Sequence, residues 1–167
     1  MIISGYQGIG KSTLSSISDR VIDLESSSFW VDGKRSDDWY KVYCQIALHL
    51  SMQGYIVFVS SHKLVRDELY EKYDNIESIC VIYPSINLKE KWIEKLEKRY
   101  EETKSDKDLK ALENAKEHYK ENIAEIMQGG LSYYEINSTD YKLSEIVEYL
   151  SKHYRYNGYN TTTSEDE

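Results

Sequence analysis

No run of apolar residues in the sequence approaches the roughly 18 needed to cross a bilayer, and the first residues do not pair a basic stretch with a long apolar one. A soluble, unexported, cytoplasmic protein with no membrane partner is therefore expected. Cysteine is scarce: Cys44 falls in a helical pattern and Cys80 in a strand pattern. Two such residues exclude a disulfide framework and a four-ligand zinc site and suit a reducing compartment. Positive charge is also short. A net charge of −8 argues against a surface coated for nucleic acid or anionic lipid, because phosphate contacts need clustered Lys and Arg. With 40% hydrophobic residues and 16 tyrosines among 167 positions, one domain with a sizeable core is expected, and global disorder is not.

Short apolar runs alternate with helical periodicity. Met1 to Ile3, Val21 to Leu24, Tyr55 to Val59, Ile79 to Tyr83 and Tyr133 to Ile136 read as five strands, with Tyr55 to Val59 and Ile79 to Tyr83 showing the pattern of strands covered on both faces. Helical patterns fall between them: Lys11 to Ile17, Asp38 to Gln53 with Ser36 or Asp37 as candidate cap, Leu64 to Tyr73, and Leu143 to Leu150. Such alternation predicts an α/β fold, a five-stranded parallel sheet sandwiched by helices, with the site outside the carboxyl ends of the strands. The charged stretch 88–127 carries two apolar stripes and reads as an inserted helical hairpin broken near Lys104 to Asp108. Residues 1–154 form the expected domain and 155–167 a polar tail expected to be disordered.

The sharpest motif is Gly5-Tyr6-Gln7-Gly8-Ile9-Gly10-Lys11-Ser12, which fits G-x-x-x-x-G-K-[ST] between a predicted strand and helix. A chance match in a chain this long is on the order of one per cent. Glycines let successive N–H groups turn inward around phosphate oxygens, and the helix N-terminus adds partial positive charge. Lys11 can reach the outer phosphates, and the Ser12 hydroxyl can ligate Mg2+. Gly5, Gln7, Gly8, Ile9, Gly10, Lys11, Ser12 and Thr13 are thus the expected nucleotide-binding set, with ATP as the expected donor.

Asp23 and Glu25 follow the second strand at the same sheet edge. Asp23 is a candidate for holding magnesium through water, orienting an acceptor or accepting its proton; a solvated strand-end carboxylate is the plainer reading. No acid lies in Tyr55 to Ser61. Ser60 and Ser61 could hold a metal-bound water or a phosphate, and Ser61 could cap the next helix. Lys91, Lys95 and Arg99 stack on one helix face, a candidate phosphate clamp with Arg99 foremost, although interleaved glutamates also suit a solvated face. Lys34, Arg35, Arg66 and Arg155 are weaker candidates for acceptor phosphate. The stretch Ser26 to Trp30, with Trp39 beyond, could stack on a base. His49, His118 and His153 show no metal spacing.

On these residues the chain resembles compact P-loop kinases related to nucleoside monophosphate kinases, of the type that bacteriophages carry. The resemblance spans about residues 1–153, with Gly5 to Ser12 as its specific part. It implies a nucleotide-kinase-like core, an acceptor region after the second strand, and a basic lid between the fourth and fifth. Lys95 and Arg99 fall at the lid position. The implied activity is ATP-dependent phosphoryl transfer to a small nucleotide acceptor. The alternatives are a kinase of polynucleotide ends or modified DNA bases, which the acidic charge disfavours, and a nucleotide-binding regulator contacting a protein through its lid. The missing acid after the third strand and the acidic lid depart from the family pattern.

Overall fold

A computed structural model describes residues 1–154. The predicted tail and Arg155 lie outside the described residues. The chain alternates strand and helix: β1 (Ile2–Gly5), α1 (Lys11–Ile17), β2 (Val21–Asp23), α2 (Trp39–Met52), β3 (Ile56–Ser60), α3 (Lys63–Tyr73), β4 (Ile79–Pro84), α4 (Lys89–Thr103), α5 (Asp106–Met127), β5 (Ser132–Ile136) and α6 (Leu143–Tyr154). All five strands are parallel, in the order β2-β3-β1-β4-β5.

That order follows from the residues. β1 and β4 are buried along their whole length, as central strands covered on both faces must be. Right-handed crossovers then dictate the helices. The step from β1 to β2 runs one way along the sheet and those from β2 to β3 and β3 to β4 the other, so α1 lies on one face and α2 and α3 on the opposite one. Accordingly α1 packs with α6, and α2 with α3. The chain leaves β1 between β3 and β4, where strand order reverses and a crevice opens at the carboxyl ends. Gly5 pairs with Ser60 and Asp23 with Phe58, so the exits of β1, β2 and β3 line up on that edge.

Three local expectations change. α2 begins at Trp39 without a side-chain cap; the Trp39 N–H donates to the Ser36 carbonyl instead. α3 likewise has no side-chain cap, and Ser61 presents its carbonyl to Arg66 Nε at 3.1 Å. The hairpin turns where predicted, at Lys104 (φ 52°), with Ser105 Oγ accepting from the Asp108 N–H at the start of α5. Yet it is seated more deeply than its charge suggests. Trp92 and Leu96 of α4 and Leu112, Ala115, Tyr119, Ile123 and Ile126 of α5 belong to the single core, and Tyr119 Oη donates to the Ser85 carbonyl at 2.8 Å. Cys44 and Cys80 are both buried and not joined in a disulfide, and burial pushes the Cys44 thiol up to about 12.

Candidate functional site

The glycine-rich loop leaves β1 and enters α1 through two left-handed residues, Gly8 (φ 82°) and Gly10 (φ 103°). A side chain at either would strain the backbone. At Gly8 there is no room besides: an added Cβ would stand 2.7 Å from Leu96 Cδ2 of the hairpin. The loop is also pinned from above, by Trp92 Nε1 donating to the Gln7 carbonyl (3.1 Å) and Tyr141 Oη to the Ile9 carbonyl (2.9 Å).

Lys11 opens α1 and folds back so that Nζ donates to the Gly5 carbonyl at 2.9 Å. Burial lowers its pKa, Asp23 and Glu25 oppose that shift, and Lys107 and Arg99 add to it. Among the described residues no carboxylate pairs with it directly, so the ammonium is a desolvated cation facing the loop. One residue on, Ser12 Oγ donates to Asp23 Oδ2 at 2.7 Å. The approach is set by Ser15, whose hydroxyl donates to the Val21 carbonyl and accepts the Asp23 N–H, tying α1 to the end of β2. A hydroxyl beside a carboxylate is an oxygen donor pair suited to a hard cation such as Mg2+. Among the described residues no group of three or more His, Cys, Asp or Glu could hold a metal by itself. His49, His118 and His153 are exposed and apart.

Arg99 reaches the same place from α4. Its Nε lies 2.9 Å from Asp108 Oδ1, and it lines a cavity of about 160 Å3 together with Gly10, Lys11, Ser12, Asp23 and Lys107. Asp108 is buried at the hairpin tip. Burial alone would raise its pKa, but hydrogen bonds from Thr103 and Ser105 and the charges of Arg99 and Lys107 outweigh it and hold the carboxyl below its usual range. Lys107, absent from the sequence reading, pairs with Glu25 across the cavity mouth. The cavity thus brings three cations to a backbone cradle: Lys11 on the Gly5 carbonyl, Arg99 paired with Asp108 and Lys107 paired with Glu25.

The other two members of the predicted clamp go elsewhere. Lys95 donates to Tyr141 Oη at 2.8 Å and lies 4.3 Å from the Trp92 ring centre, and burial followed by repulsion from Arg99 pushes its pKa down to about 8. It fastens the hairpin to the loop. Lys91 is exposed.

Past β3, Ser60 lines the cavities on both sides of Lys11. Its N–H donates to Tyr43 Oη (2.9 Å), which donates to the Leu24 carbonyl (2.6 Å), so one buried phenol joins the exits of β2 and β3. Sequence periodicity placed Tyr43 only in the core. Burial, followed by the nearby Arg35, Lys11 and Arg66 charges, pushes the His62 imidazole below its usual range. Of the weaker candidates, Arg66 is buried and paired with Glu125 at 2.7 Å, Arg35 lies 4.1 Å over the Trp39 ring, and Lys34 is exposed. Ser26 accepts from Arg35, while Trp30 remains exposed.

A second cavity, about 220 Å3, opens on the other side of Lys11 between Gln7, Ser60, His62, Asn114, Asn122 and Glu125. A third, about 240 Å3, lies beside Thr13, Leu14, Lys95 and Tyr141. Compared with known proteins, the chain matches no family model and no curated protein, and its functional reading rests on the geometry of the loop, Asp23 and the hairpin cations.

Proposed function

We propose that the protein is an ATP-dependent phosphotransferase of the nucleotide-kinase type, in which the glycine-rich loop is a P-loop and the α4–α5 hairpin a lid. The proposed acceptor is a small nucleotide, a nucleoside or deoxynucleoside monophosphate. The observation that carries this reading is the convergence of Lys11, the Ser12–Asp23 pair and Arg99 on one cavity above the loop.

In this reading the loop N–H groups and Lys11 hold the donor's outer phosphates, and the cavity beside Thr13 and Tyr141 seats its base. Magnesium, when bound, would neutralise charge on the donor's phosphates, and Ser12 would hold it with Asp23 behind. The 2.7 Å contact to Ser12 favours this metal-side role for Asp23 over that of proton acceptor. A phosphate oxygen of the acceptor attacks the γ-phosphorus, the bond to the departing diphosphate breaks, and ADP leaves. The attacking oxygen carries no proton, so no base is required. Arg99 and Lys107 stabilise the charge that spreads over the transferring group.

The test is incubation with γ-labelled ATP and magnesium against a panel of nucleotides, sugars, DNA and RNA. Label should move to a nucleotide in the native protein and not in Lys11→Ala. Label on no acceptor, or equal transfer by both proteins, would reject the reading.

A further inference from the structure

The ladder between β2 and β3 stops one rung short, and a side chain takes the missing place. In a parallel pair, every second residue of a strand bonds its neighbour through both its N–H and its carbonyl. The Arg20 carbonyl accepts from the Ile56 N–H and, further along β2, the Leu24 N–H donates to the Phe58 carbonyl, both at 2.9 Å. The next rung of that series would be the Ser60 N–H on the Leu24 carbonyl. Instead the Tyr43 hydroxyl stands between them, accepting the Ser60 N–H at 2.9 Å and donating to the Leu24 carbonyl at 2.6 Å. Two bonds end to end replace one, so β2 and β3 part where they leave the sheet.

The hydroxyl is held there from all sides. Tyr43 is 0% exposed, and its ring lies against Phe29 and Trp39, each at 5.6 Å between ring centres. Burial raises the phenol's pKa, which keeps its proton for the Leu24 carbonyl. The parting opens into the cavity of about 160 Å3 above the loop: Asp23, Leu24 and Glu25 line it from the exit of β2, and Ser60 lines it from the exit of β3. Asp23, the residue before the carbonyl that Tyr43 engages, is the one that accepts from Ser12. Ser60 also borders the cavity of about 220 Å3 on the other side of Lys11.

We infer that Tyr43 is a positioning residue of the nucleotide site: its hydroxyl, inserted in place of a rung, sets the spacing between Asp23 and Ser60 at which metal-bound phosphates fit over Lys11. This rests on the phosphotransferase reading for the identity of the ligand, and it gives Tyr43 no contact with that ligand. Without the hydroxyl, the Leu24 carbonyl and the Ser60 N–H satisfy each other directly, so Tyr43→Phe should fold with a narrowed cavity. The full-length protein is titrated calorimetrically with ADP, once with magnesium and once with EDTA, as the native chain, as Tyr43→Phe and as Cys44→Ala. The last variant trims the buried face of the same helix and keeps the hydroxyl. With magnesium, Tyr43→Phe should bind ADP about ten-fold or more weakly, the scale of one lost hydrogen bond to a charged group. With EDTA it should bind as the native protein does, because Asp23 bears on the metal while Lys11 and the loop N–H groups bear on phosphate. Cys44→Ala should match the native protein under both conditions. Unchanged binding by Tyr43→Phe, equal losses with and without magnesium, or an equal loss in Cys44→Ala would overturn the proposal. So would a Tyr43→Phe that does not fold, since the hydroxyl would then be supporting the core. No ADP binding by the native protein under either condition would overturn the phosphotransferase reading together with this one. A magnesium-selective loss in Tyr43→Phe with no label transfer by the native protein would reject that reading alone; transfer with equal ADP binding by the native protein and Tyr43→Phe would reject this one alone.

Discussion

Among the described residues the Lys11 ammonium hydrogen-bonds the Gly5 carbonyl and no carboxylate, in a place whose burial lowers its pKa. Its removal should therefore cost little in folding and much in function: Lys11→Ala is expected to unfold within a few degrees of the native protein and to lose phosphoryl transfer, as paired melting and turnover assays would show. Lys95 differs because its neighbours are aromatic. Its pKa in the fold is about 8, below the roughly 10.4 of an unfolded lysine, so between those values unfolding takes up a proton and stability rises with pH. Below about pH 8 both states are protonated and the slope vanishes. Denaturant midpoints measured from pH 7 to 10 should climb in the native protein and lose that climb in Lys95→Met; parallel curves would show that Lys95 is solvated.

The hairpin is where charge and burial part company. Its interleaved glutamates suit a solvated face, but Trp92 is 0% exposed and donates to the loop, and α5 buries five apolar side chains. Trp92→Ala should cost about 3–5 kcal/mol of stability, the range for emptying a buried aromatic site, measured by urea unfolding. A loss below 1 kcal/mol would mean the hairpin sits loosely. On the proposed function the tip carries the chemistry, where Asp108 pairs with Arg99 Nε at the edge of the cavity above the loop. Arg99→Ala is expected to lower turnover by roughly ten to a thousand fold with little change in ATP affinity, since a charge that meets the transferring group acts mainly in the transition state. Hydrogen exchange at the tip should slow only when donor and acceptor are both present; protection by a protein partner alone would favour a regulator. The stripes that form the hairpin were legible in the sequence because periodicity reports apolar faces. The destination of each charge was not. Lys95 and Arg99 share a helix face, yet one meets Tyr141 and the other Asp108, contacts set by residues 46 and 9 positions away.

For the molecule as a whole, alternation of short apolar strands with helices was enough to anticipate five parallel strands and their sheet edge, because parallel pairing demands continuous burial and long crossovers. The glycine motif between strand and helix likewise carried its own context. What the sequence withheld were joints between distant segments: Tyr43 across β2 and β3, Ser12 on Asp23, and the amides of α5 on Gln7. A ligand spanning these joints should tighten the whole domain. ADP with magnesium at about 100 times its Kd is expected to add about 2.7 kcal/mol of stability, read as a raised melting temperature that Lys11→Ala abolishes. The bent α5 carries this further. Its 22 residues run from Lys107 and Asp108, over the phosphate cavity, through Asn114 and Asn122, to Glu125 against α3. On the proposed function, the start of α5 meets the donor's phosphates while the segment beyond its bend at His118 packs toward α3. Whatever shift in that helix lets one ligand favour the other must act in both directions with equal strength, so the factor by which donor raises acceptor affinity fixes the factor by which acceptor raises the donor's.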